Sequence, residues 1–492
     1  MRSVIDLTST EARDYFLKGT SYSTLELPAY FNFSDLIQTC DGLLADTKLS
    51  SHGSPGDSQG GANHKVLQNK DGEFAWRKLE LLHPFIYVDL VREVTEPEAW
   101  NEIQNRFGEF AALEGFTCSS IPKTTDEASH SLKLEVNSWW TQFEQKTLEM
   151  TFEHSHVIHT DISDCYGSIY THAISWALHQ REHMKANPRD YKYLGNRLDK
   201  KIRDMQWRES SGIPQGSVLM DLIAELVLGY LDELLHKALQ QAGISDYQVI
   251  RFRDDYRIFT SSENVANRIL QLLSVQAESL GLRINGKKTV ASNDIASTAI
   301  KVDKLAWLQL PKHTNSEHNL HSIYEFSKRF PNSSRIKLAL LDYSQELSEN
   351  PFSAVRNPIQ EIALSLEIGC RNPVAFPAAV SVIARLCLGL ANDQASTLIG
   401  QAASRVSRVP NSNFHNIWLQ RLAHPRGLTL TYTEPLCNRL IEPNTLIWTD
   451  EWLNTKSFKE ALVEVDFFER SGIAINNIVI ESSEISFDEY PG

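Results

Sequence analysis

Arg251-Phe252-Arg253-Asp254-Asp255-Tyr256-Arg257-Ile258-Phe259 places two adjacent carboxylates inside an apolar, aromatic-rich run. The pattern predicts a β-hairpin over 249–259 with the aspartates at its turn. A carboxylate pair at a tight turn suits a hard divalent cation. An Asp-Asp turn alone is an ordinary polar loop, so the reading depends on its neighbours. Asp161-Ile162-Ser163-Asp164-Cys165-Tyr166-Gly167-Ser168-Ile169-Tyr170 and Gly212-Ile213-Pro214-Gln215-Gly216-Ser217 precede it, and Leu280-Gly281-Leu282-Arg283-Ile284-Asn285-Gly286-Lys287-Lys288-Thr289 follows.

Around these motifs, strand and helix patterns alternate. A strand is expected at 156–160, and helices at 169–180, 218–240 and 265–280. Ser217 is placed to cap the long helix. Upstream, 96–145 reads as helical. Lys65-Val66-Leu67 and Phe74-Ala75-Trp76-Arg77 flank a turn-like Lys70-Asp71-Gly72 and read as a cation-bearing hairpin. The Gly/Ser-rich stretch 46–64 lacks an apolar period and reads as a mobile loop. Beyond about residue 327 the texture changes to Ala/Leu-rich periodic segments at 336–346, 359–366, 375–390 and 395–408, which predict stacked helical hairpins without a strict repeat.

The bulk properties set limits. At 492 residues the chain exceeds one ordinary core and predicts two or three domains. A net charge of −14 excludes a basic coat, so any nucleic acid must meet a local groove; residues 181–210, with nine Lys/Arg against five Asp/Glu, are the candidate. Residues 441–492 carry eleven Asp/Glu and three Lys/Arg and read as a solvated acidic tail. Six dispersed cysteines without a CxxC pair fit reduced thiols. The N-terminus lacks a signal-peptide core and the most apolar stretch, 374–391, contains Pro377 and Arg385, so a cytoplasmic protein with no membrane partner is expected. His154, His156 and His159 invite a metal reading, but nothing completes a zinc set.

The order of the four motifs resembles the fingers and palm of reverse transcriptases over residues 65–290. The resemblance implies an α+β fold: right-hand fingers and palm, an RRM-like antiparallel sheet with helices, then an all-α repeat-like C-terminal domain. The expected divisions are 1–150, 151–325, 326–450 and an acidic 451–492. It implies two Mg2+ ions, with Mn2+ as a substitute, held by Asp161, Asp254 and Asp255, with Ile162 beside them. Two such ions, roughly 3.5–4 Å apart, activate the attacking hydroxyl and hold the triphosphate. Asp164, Tyr166, Gln215, Gly216, Arg77 and Lys65 would contact the nucleotide. Tyr166 would be a steric gate that favours dNTPs over NTPs, and Lys288 the proton donor to pyrophosphate, with Lys287 as the alternative.

Three departures mark this chain. Phe252 and Arg253 stand where most such enzymes place Tyr and a slim residue. Leu219-Met220-Asp221 replaces the usual Ser-Pro, and the primer-grip element is unclear near Ala306-Trp307-Leu308-Gln309-Leu310. No RNase H or endonuclease pattern is evident. What remains resembles bacterial abortive-infection and other defence-associated reverse transcriptases, which implies dNTP and RNA or DNA partners. It further suggests a homo-oligomer through the helical domain and a phage or accessory protein. By the same resemblance, synthesis would be RNA-templated or template-independent, and the primer a nucleic acid or a tyrosine such as Tyr490. The rival readings are a non-catalytic nucleic-acid-binding module and an RNA-dependent RNA polymerase; Tyr166 and Arg253 disfavour the latter.

Overall fold

The computed structural model describes residues 2–70, 76–124, 143–311, 316–349, 355, 357–470 and 472–485. At its centre is a five-stranded sheet ordered β3-β5-β6-β4-β7, formed by Phe116–Cys118 (β3), His156–Asp161 (β4), Gln248–Phe252 (β5), Asp255–Thr260 (β6) and Val290–Ser292 (β7). The expected antiparallel sheet is mixed, because β3 pairs parallel to β5. That strand lies in the stretch read as helical, where the helix Pro97–Ala111 ends well short of residue 145.

Strand alternation gives the sheet two unlike faces. Ile158, Tyr256 and Ile258 join the main core, over which the helix Glu263–Ser279 packs on β4 and β6. Val157, Ile250, Phe252 and Phe259 turn the other way, into a small cluster with Phe143 and Ile295. Asp161 and Asp255 share this second face, because Asp161 pairs with Asp255 and His159 with Arg257 across β4 and β6. The long helix Val218–Gln241 begins at Ser217, whose hydroxyl accepts the Met220 N–H at 3.3 Å.

The fingers ribbon is the antiparallel pair His64–Asn69 (β1) and Trp76–Leu81 (β2). Helices Ser316–Arg329, Ser334–Glu349, Pro358–Arg371, Phe376–Leu386, Asn392–Val406 and Asn413–Ala423 follow the palm and pack on one another. No described helix is long and apolar enough to cross a membrane.

The helical region does not pack apart from the rest: one core runs from Val4 through the palm helices to Ile485. Lys337 and Glu26 pair at 2.6 Å, the Trp418 indole donates to the Glu26 carbonyl at 3.0 Å, and His64 meets Glu434 at 2.7 Å. Nor is 451–492 a solvated tail over its described part. Asn32 N–H donates to the Phe467 carbonyl, Glu469 N–H to the Tyr30 carbonyl, and Phe33 stacks on Phe467 at 5.2 Å. Arg421, fully buried, holds the Glu484 carboxylate through two bonds of 2.9 and 2.8 Å and also binds the carbonyls of Asn477 and Val479. The Gly/Ser-rich 46–64 stretch is likewise tied down: His52 bonds the Thr455 hydroxyl at 2.7 Å, and Gly53 bridges Leu453. A Cβ on Gly53, whose φ is +145°, would sit 1.8 Å from the Trp452 carbonyl oxygen.

Candidate active site

The hairpin between β5 and β6 closes through two residues, Arg253 and Asp254, since Phe252 pairs directly with Asp255. The first position of so tight a turn takes a positive φ and normally a glycine. Here Arg253 adopts φ +51°. A left-handed non-glycine residue costs on the order of 1 kcal/mol, and neighbouring groups hold it there. The Ser120 hydroxyl accepts the Arg253 N–H at 2.7 Å, and the Arg251 guanidinium donates to the Arg253 carbonyl at 3.2 Å. Arg251 is itself buried between Glu225 at 2.8 Å and Asp232 at 2.7 Å on the long helix, and Asp232 also accepts the Tyr256 hydroxyl at 2.9 Å. This network fixes the turn from behind.

In front, Asp254 and Asp255 meet the end of β4. Ile162 N–H donates to the Asp254 carbonyl at 3.1 Å, and Asn285 N–H to the Asp161 carbonyl at 2.8 Å. Lys288 Nζ lies 2.9 Å from Asp161 Oδ2, while Asp161 Oδ1 is buried without a hydrogen-bond partner. Burial is the main force raising the Asp255 pKa to about 7, reinforced by the Asp254 and Asp161 charges. Asp254 is raised too, by burial first and by the Asp161 charge. Burial works against the Lys288 charge, but its bond to Asp161 and the surrounding carboxylates win and raise its pKa.

These are the conditions for cation binding: buried, mutually repelling carboxylates with one oxygen unpartnered. Among the described residues no three His, Cys, Asp or Glu side chains converge to the spacing of a bound ion as they stand. The donor set nevertheless fits a hard divalent ion, which takes carboxylate oxygens and completes its shell with water and phosphate. Asp161, Asp254 and Asp255 would hold it.

The remaining expected residues divide. Tyr166 lies on the short helix after Asp161, where its carbonyl accepts the Ile213 N–H at 2.8 Å, so it abuts the Pro-Gln-Gly loop. Asp164, with φ +45°, lies under Gly167, where a Cβ would approach its carboxylate to 2.3 Å. Gln215 gives its carbonyl to the Glu80 N–H at 2.7 Å, and a Cβ on Gly216 would lie 2.4 Å from the Glu80 carbonyl oxygen. The Pro-Gln-Gly loop therefore carries the fingers ribbon, and its glycine is required by that close approach.

Lys65 and Arg77 do not converge. Glu80 pairs with Lys65 and Gln68 with Arg77, so strand alternation puts the two cations on opposite faces of the ribbon. Lys65 Nζ donates instead to the Gly60 carbonyl at 3.0 Å. Five of the nine cations in the basic stretch 181–210 are ion-paired, three of them to carboxylates outside it. Arg197 pairs with Glu93, Lys200 with Asp204, Lys201 with Asp89, Arg203 with Asp199 and Arg208 with Asp57. His159, with its pKa pushed down to about 3 by burial first, packs inside the sheet. Tyr490 lies outside the described residues.

Sequence reasoning missed Asp221, Ser120, Glu225 and Asp232. Asp221 stood out in the sequence only as part of the departure Leu219-Met220-Asp221; its place in the first turn of the long helix carried no assigned role.

Residues 117–316 match the family described as "Reverse transcriptase (RNA-dependent DNA polymerase)". It is similar to the telomerase reverse transcriptases of Mus musculus, 31% identical over 113 residues, and Canis lupus familiaris, 28% identical over the same length. Each match covers 23% of this chain, which spans about a tenth (10%) of the length of these relatives. Among solved structures, telomerase from Candida albicans in complex with a fragment of telomeric RNA aligns over 80% of this chain and 71% of that one, at 11% identity and a TM-score of 0.33. Apo telomerase from Candida tropicalis, truncated from the C-terminal domain, aligns over 53% and 56% at 14% identity and a TM-score of 0.30.

Proposed function

We infer that this protein is a DNA polymerase of the reverse-transcriptase class, adding dNTPs with divalent metal ions at Asp161, Asp254 and Asp255. The observation that carries the reading is the pairing of Asp161 with Asp255 on one face of the sheet, beside Asp254 and Lys288. Bound ions there would supply charge for hydroxyl activation and pyrophosphate departure. The protein's own groups do the rest. The Arg251 network fixes the aspartates, the Gln215–Gly216 loop carries the fingers ribbon against the palm, and Tyr166 borders the nucleotide position. Lys288, charged at neutral pH, is placed to neutralise a phosphate or give up its proton.

The preference for dNTPs is supported by an aromatic at residue 166, and the antiphage role by the motif order followed by a helical C-terminal region. Whether RNA is copied, or DNA made without a template from a tyrosine primer, is decided by one experiment. The purified protein is incubated with Mg2+ and labelled dNTPs, and the nucleic acid that co-purifies with it is sequenced. Extension lost in the Asp254→Ala, Asp255→Ala double variant supports the polymerase; equal extension in that variant overturns it. Label released only by protease identifies a protein primer, and product matching a bound RNA identifies a template. Phage protection by wild type and not by that variant supports the defence role, and equal protection refutes it.

A further inference from the structure

Asp221 joins the aromatic after Asp161 to one of the residues that set this chain apart. Its Oδ1 accepts the Tyr166 hydroxyl at 2.6 Å, and its Oδ2 lies 3.5 Å from the Arg253 guanidinium. Asp221 is 8% exposed and rigidly placed, one turn into the capped helix Val218–Gln241, with its N–H donated to the Ser217 carbonyl at 3.1 Å. Tyr166 belongs to the element that follows Asp161, and Arg253 to the turn that carries Asp254. One carboxylate thus ties the aromatic expected to border the sugar to the backbone corner that presents a catalytic aspartate.

We propose that Asp221 is a positioning residue for sugar selection, a latch that holds the Tyr166 ring in place by its hydroxyl while Arg253 holds the latch. The proposal rests on the polymerase reading above and specifies how its substrate is chosen. An aromatic ring excludes a 2′-hydroxyl only if it stays where it is. A phenol bonded to a buried, charge-paired carboxylate cannot swing aside without losing a charge-assisted hydrogen bond and exposing that carboxylate to a second loss. The contact also accounts for Arg253 itself: its strained backbone aims the cation back at the long helix, toward Asp221.

The test measures kcat/KM for dGTP and GTP in Mg2+-dependent extension by wild type, Tyr166→Ala, Tyr166→Phe, Asp221→Ala, Asp221→Asn and the Tyr166→Phe, Asp221→Ala double variant. Tyr166→Phe and Asp221→Ala are each expected to lower the dGTP preference by about tenfold, the scale of one charge-assisted hydrogen bond. The double variant is expected to lower it no further, because both changes remove one contact. Asp221→Asn, which keeps the volume and an acceptor for the phenol, should restore most of the preference and guards against a folding defect. An unchanged preference in Asp221→Ala, with Tyr166→Ala relaxing it, overturns the latch and leaves the gate standing. An unchanged preference in Tyr166→Ala as well overturns both. Absence of extension by wild type with either nucleotide refutes the polymerase reading, and the latch with it.

Discussion

The palm turn and the packing of 451–485 on the N-terminal region use opposite means to hold a segment in place. At the turn, a left-handed arginine, buried ions and repelling carboxylates sit together, and the surrounding hydrogen bonds force them to stay. At the terminal packing, rings do the work: Phe85 stacks on Phe458 at 4.3 Å and Phe33 on Phe467, with Arg421 sealing the far end. One region holds a strained turn against mutual repulsion, and the other holds its segment by apolar burial.

That contrast breaks down if changes at the turn unfold the protein or changes at the terminal packing merely slow it. The largest effect is expected from Asp161→Ala or Asp254→Ala, which should reduce dNTP incorporation by about a thousandfold or more while leaving the melting temperature equal or higher. A parallel loss of melting temperature would contradict the division of labour. Next, Arg421→Met leaves Glu484 and two carbonyls without their donor and should cost about 3–5 kcal/mol in denaturant unfolding. A cost below about 1 kcal/mol would show that the terminal packing is ornamental.

Two smaller effects sharpen the comparison through pH. Asp255 has a folded pKa of about 7 against about 4 in an unfolded chain, so its charge destabilises the metal-free protein progressively as pH rises between those values. Asp255→Asn should therefore stabilise metal-free protein at pH 8 by at most about 4 kcal/mol, the worth of three pKa units, and leave it unchanged near pH 4. His83 behaves oppositely. It is buried against Trp452, and burial pushes its pKa down to about 3. The unfolded chain takes up a proton below about pH 6.5, so stability from this site is full above that value and lost as pH falls toward 3. His83→Leu should remove about 1 kcal/mol of the acid loss by pH 5.5, read as a shallower fall in unfolding midpoint.

The palm was legible because its chemistry dictates residue type and spacing. A carboxylate at Asp161, a paired turn at Asp254 and Asp255 and a glycine at Gly216 are each imposed locally, and strand and helix periods fell where the patterns put them. The terminal packing was misread because counting charges in 441–492 ignores what Trp452, Phe458, Phe467 and Phe468 would find. Their partners, Phe31, Phe33, His52 and Phe85, lie hundreds of residues away, beyond any window of periodicity. The separation of Lys65 and Arg77 was hidden for a different reason: they were matched by type, while the β1–β2 register that puts them on opposite faces depends on pairing across a turn. Asp221 stayed hidden because a carboxylate in a first helical turn is ordinary, and only the approach of Tyr166 and Arg253 makes it otherwise.

The hydrogen bonds that tie Asn32 to Phe467 and Glu469 to Tyr30 also govern the order in which these segments can fold during synthesis. Tyr30, Phe31 and Phe33 leave the ribosome early, and their covering rings emerge only after the whole palm and helical region have been translated. Contacts of such long sequence separation form late and leave apolar surface open in the meantime. A nascent chain stalled before residue 450 would carry all four motifs and still expose the aromatic face it was built to bury, so synthesis halted there should yield a target for chaperones rather than a working enzyme.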